Sequence, residues 1–92
     1  MNKYRLGVDN MELELRIKLD DLLINQGNMT QKQLIELIKE KTGKTVRSAA
    51  VSELYNNQRK SLNKELIETI ATVLEITDAN AIFSLEPKNH QS

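Results

Sequence analysis

The chain has no cysteine and no tryptophan, one proline, one histidine, three glycines, two tyrosines and one phenylalanine among 92 residues. Without cysteine there is no disulfide, no thiolate zinc site and no cysteine nucleophile. The lone histidine, His90, lies in a polar tail. Neither a histidine metal site nor a catalytic triad is therefore expected. Three aromatic rings are too few for a platform that stacks single-stranded bases. Gly7, Gly27 and Gly43 stand apart, so no glycine-rich phosphate loop exists. No apolar run approaches the roughly 18 residues of a membrane span. The first ten residues lack the apolar stretch of a signal peptide, and a cytoplasmic chain is expected. Asp20 and Asp21 are neighbours in sequence, so on a helix they point apart and read as solvated surface rather than an acid/base pair. The expectation is not an enzyme, with no cofactor and no metal.

What is present is a globular composition, 39% hydrophobic and 28% charged. The length suits a single domain over residues 1–92, near the lower limit for a self-supporting core. Residues 1–10 and 88–92 are expected to be flexible ends. The formal charge of zero is unevenly spread. Residues 1–38 carry a net −1, residues 39–64 a net +5 and residues 65–92 a net −4. A basic middle between acidic flanks is a candidate contact for a polyanion, and ordinary solvation of helix surfaces is the plain alternative.

Helix ends are readable along the chain. Met11, Leu13, Leu15, Ile17 and Leu19 alternate with charged residues, as in a half-buried strand. The same stretch is rich in good helix formers, and Met11, Leu15, Leu19, Leu22 and Leu23 also make a helical stripe. Either reading stands at this point. From Leu19 the spacing predicts a helix ending near Gly27. Thr30 and Gln33 form a capping box, with Met29 and Leu34 placed as a hydrophobic staple. Leu34, Leu37 and Ile38 give the stripe of this helix, and Gly43 is positioned as a left-handed stop. A helix is expected from Arg47 to about Asn57, with Ala50, Val51 and Leu54 inward. Its other face carries Ser48, Ala49, Ser52, Glu53 and Asn56, unusually small and polar for a basic segment. Residues 57–61 read as a loop. Asn63 is placed to cap a further helix striped by Leu66, Ile67, Ile70, Ala71 and Leu74, with Leu62 and Ile67 as a second staple. A short turn begins at Thr77 and Asp78, and residues 81–85 are apolar until Pro87 stops them.

The pieces MTQKQL (29–34), VSELYN (51–56) and residues 62–76 resemble the Cro/C1-type (Xre) helix-turn-helix family, and the likeness spans about residues 19 to 85. That family's pattern opens a helix with M-T-Q-x-x-L. It continues with a recognition helix of the I-S-x-S-x-I-S-R-L-Y-N-G kind. The resemblance implies a mainly α fold, a small helix-turn-helix bundle of four to five helices. It also implies a short two-stranded sheet pairing segments at about 13–18 and 81–85, which favours the strand reading of the N-terminal stretch. Two departures stand out. The segment between Leu34 and Val51 is longer than the pattern by about two turns, so either the second helix is extended or its turn is a loop. Arg47 occupies the usual serine cap position, with Thr45 placed to cap instead.

In such a fold the second helix of the motif enters the major groove of duplex DNA. The resemblance therefore places Arg47, Ser48, Ala49, Ser52 and Asn56 at base edges, with Glu53 further along. Arg47 can grip guanine, the serines can donate or accept, the Ala49 methyl can meet a thymine methyl, and Asn56 can reach adenine. Phosphate contacts are expected from Gln31 and Lys32 at a helix start, and from Lys44, Arg59 and Lys60. Tyr55 reads as a core edge. The function implied is a sequence-specific regulator of transcription, of the repressor type found in prophages and other mobile elements. One module has little surface for high affinity, so a homodimer on a two-fold site is expected. The alternative is a protein-interaction module on the same scaffold, an antitoxin-like or anti-repressor partner, which the acidic flanks and overall neutrality favour.

Overall fold

The computed structural model describes residues 12–58 and 61–88. The order is β1 (Leu13–Ile17), α1 (Leu19–Asn25), α2 (Gln31–Thr42), α3 (Ser48–Tyr55), α4 (Lys64–Leu74), a 3-10 turn (Ala79–Ala81) and β2 (Phe83–Pro87). The fold is mainly helical, with one two-stranded antiparallel sheet. The readings of residues 1–11, 59–60 and 89–92 lie outside the described residues.

The N-terminal stretch is a strand followed by a helix. Leu13 pairs with Pro87, Leu15 with Leu85 and Ile17 with Phe83. Lys18 donates its N–H to the Ile82 carbonyl at 2.7 Å, and Lys88 donates to Glu12 at 2.8 Å. The even-numbered residues of β1 therefore turn their backbone groups toward β2, and the odd-numbered ones turn theirs away. This alternation admits Pro87 into the strand. Its missing N–H would have pointed away from β1, so no ladder bond is lost. β2 thus lies two residues later than the sequence reading placed it, and residues 79–81 form the 3-10 turn, with Asp78 accepting from Asn80 N–H at 2.9 Å. Lys88, read as part of a flexible end, is held by that backbone bond and by an ion pair to Glu12 at 3.5 Å.

The helices start and stop where local chemistry directs. The Thr30 hydroxyl accepts from Gln33 N–H at 3.0 Å, and Gln33 Oε1 accepts from Thr30 N–H at 2.9 Å, closing the capping box. Gly43, at φ 78, ends α2 in the left-handed region. Both options for the long segment are realised: α2 runs to Thr42, and residues 43–47 then form a link. Asn63 Oδ1 accepts from Leu66 N–H at 3.1 Å and starts α4. Leu62, read as half of a staple there, remains 41% exposed.

The core joins every layer. Leu34, Ile38 and Val51 are fully buried. Leu19, Leu22 and Leu23 of α1, Leu54 of α3, Leu66, Ile70, Val73 and Leu74 of α4, Ile17 of β1 and Ile82 just before β2 complete one cluster. Met29, Ile67 and Tyr55 pack at its edge. The face of α3 that carries Val51 and Leu54 is thus clamped against the other helices, and its opposite face is left outward.

Candidate nucleic-acid interface

The site is built on α3. Val51 and Leu54 are buried, and Ala50 packs against the same core. At about 3.6 residues per turn, Ser48, Ala49, Ser52, Glu53 and Asn56 fall in an arc of roughly 140° centred opposite those three. Ser48, Ala49 and Asn56 are exposed, and Ser52 and Glu53 are half-buried. Asn56 Nδ2 donates to Ser52 Oγ at 3.3 Å, so the two polar groups stand side by side on the surface. Glu53 is the one long charged side chain in the arc. Small side chains let a helix backbone approach a groove floor closely, and hydroxyls and an amide can both donate and accept there.

Arg47 precedes the helix on extended backbone, at φ −74 and ψ 139, and is exposed. Neither it nor any other side chain caps α3. Thr45 does not take over that role. Its hydroxyl instead accepts from Lys39 Nζ at 3.4 Å. Arg47 lines one side of a groove of about 1250 Å³, together with Ala50, Glu53 and Leu54; the opposite side is β1. Arg47 thus stands at the N-terminal end of α3, on the groove side, to one side of the outward arc.

The expected phosphate contacts separate into three groups. Gln31, half-buried, and Lys32, exposed, are the first two residues of α2. The capping box takes up the N–H of Gln33, and the N–H groups of Gln31 and Lys32 have no acceptor within the helix. Lys44 is differently placed. Its ammonium lies 3.3 Å from a Glu65 carboxylate oxygen and 3.3 Å from Thr69 Oγ1. Thr69 is the one buried polar residue among those described, so Lys44 ties the 43–47 link to α4. Arg59 and Lys60 lie outside the described residues.

The sequence reading missed one residue at the end of α3. Asn57, at φ 54, places its side-chain amide against the backbone of Ile17 in β1. The available signal was its position, because Asn57 stands where the resembled pattern has glycine after Y-N. Among the described residues, no group of three or more histidines or acids is arranged to hold a metal, and no helix is long and apolar enough to cross a membrane. Lys64 has its pKa raised above the ordinary lysine value by the hydrogen bond and charge of Glu68, on the exposed start of α4 and outside the α3 arc.

Comparison with protein-family models, with curated proteins and with solved structures finds no match to this chain.

Proposed function

We propose that the chain is a cytoplasmic, sequence-specific binder of double-stranded DNA that regulates transcription as a Cro/C1-type repressor, with α3 in the major groove. The observation that carries this reading is the outward arc of α3. A helix held by its core face that offers Ser48, Ala49, Ser52 and Asn56 outward has the shape and the donor–acceptor set that base edges require. A solvent-facing helix with no partner would carry longer charged side chains. Arg47 adds a cation at the N-terminal end of α3, and the opening turn of α2 offers N–H groups and Lys32 to a phosphate. A homodimer on a two-fold site supplies the affinity that one small module lacks, and the exposed row Leu13, Leu15 and Leu85 on the sheet is the surface for the second copy.

The test is selection from a randomised duplex library by the purified protein, with the enriched duplex retested across a salt series. The expected result is a dyad motif bound with an affinity that falls steeply with salt. Arg47→Ala combined with Ser48→Ala is expected to abolish selective binding. Absence of enrichment even at low salt sinks the reading. One observation favours a second reading, a protein-interaction module. The groove between β1 and α3 is lined by both acidic and basic residues with leucines between them, which suits a protein segment. In that case the same double variant leaves the protein complex intact.

A further inference from the structure

We infer that Asn57 is a positioning residue that sets how α3 is presented, through two hydrogen bonds to the backbone of Ile17; this rests on the reading of α3 as the DNA-reading helix. Asn57 Oδ1 accepts from Ile17 N–H at 2.7 Å, and Asn57 Nδ2 donates to the Ile17 carbonyl at 3.0 Å. Ile17 is an odd-numbered residue of β1, so its backbone groups face away from β2. It is also 2% exposed, and leaving those groups without partners would carry a desolvation cost. One side-chain amide, with an acceptor and a donor side by side, satisfies both as a neighbouring strand would.

The consequence falls on α3. The helix has eight residues and ends at Tyr55, Asn56 follows as its C-cap, and Asn57 reverses the chain in the left-handed region. Glycine would make that reversal equally well. Asparagine makes it and also fastens the end of the helix to a strand 40 residues away in sequence. The other end has no side-chain cap; it is held by packing of Val46, Ala50 and Val51, and the nearest side-chain hydrogen bonds before it are those of Lys44 to Glu65 and Thr69. Val51 and Leu54 seat the helix on the core, and the two Asn57 bonds fix its C-terminal end and so the angle at which it lies. From Asn57 to Ser48 the helix spans roughly 13 Å, so a swing of about 10° moves Ser48 by roughly 2 Å. That exceeds the tolerance of a hydrogen bond to a base edge. Long lysine side chains reaching phosphates absorb such a shift. Loss of the Asn57 bonds should thus weaken selective binding and spare non-selective binding.

The experiment compares wild type with Asn57→Gly on the selected duplex and on a random duplex. It is run at a temperature where circular dichroism shows both proteins folded. Asn57→Gly keeps the left-handed turn and removes only the amide. Affinity for the selected duplex is expected to fall about tenfold, the equivalent of the two bonds, with affinity for the random duplex within about twofold of wild type. Equal loss on both duplexes, or no loss, overturns the inference while leaving the DNA reading intact. A wild type that selects no duplex overturns the DNA reading itself, and the inference with it. If the glycine variant does not fold, Asn57→Asp carries the same comparison. It keeps the acceptor for Ile17 N–H and sets a carboxylate oxygen against the Ile17 carbonyl, so its selective affinity is expected to fall at least as far.

Discussion

Leu34 is fully buried, and its methyl groups are surrounded by the other helices. Leu34→Ala removes that packing and leaves a cavity, at an expected cost of about 2–5 kcal/mol. Against a total stability of roughly 5–15 kcal/mol for a small domain, this single change is severe, and urea unfolding measures it. Thr30→Ala breaks the capping box and is expected to cost about 1 kcal/mol by the same measurement. Both roles are legible in the sequence, because a cap and an apolar stripe are written within a few residues of each other. Thr69 and Asn57 are not legible in that way. Each acquires its role from a partner distant in sequence, Lys44 in one case and Ile17 in the other.

Elements show the same division. The ends of α2 follow from Thr30 and Gly43, which act locally. At Gly43 the backbone φ is 78 and an added Cβ would meet no atom within 4 Å. Gly43→Ala is therefore expected to cost about 1–2 kcal/mol through the left-handed backbone alone, with no repacking of the core. Thermal unfolding tests the size, and an unchanged chemical-shift pattern for core methyls tests the absence of repacking. The strand at residues 13–17 was ambiguous because Glu, Leu and Arg favour helix while their alternation favours strand. What decides it is β2, about 70 residues later, which supplies the ladder. The boundaries of β2 are not legible in the sequence for a related reason. Pro87 reads as a stop in isolation, and only the register shows that its missing N–H faces outward. The inward and outward faces of α3 were legible from periodicity, whereas the diversion of Lys44 to α4 was not.

For the molecule as a whole, the exposed leucines of the sheet separate stability from assembly. Leu85 is 65% exposed, so Leu85→Lys is expected to change the unfolding free energy by less than about 0.5 kcal/mol. If a second copy covers this face, the same variant weakens the dimer by more than about tenfold, since a buried unpaired ammonium is costly. Sedimentation over a concentration series reads the effect, and an unchanged dimer constant places the self-contact elsewhere.

The sheet joins Leu13 to Pro87, while the cap bonds and turns of the helices link residues a few positions apart. Closing a loop of that length is slow and yields its reward late, whereas the helices can dock early through nearby contacts. The strands are thus expected to zip up after the rate-limiting barrier and to part before it on the way back. Phe83→Ala should then accelerate unfolding and leave the refolding rate close to wild type in a denaturant-jump experiment, so that the lifetime of the folded protein is governed by its two strands.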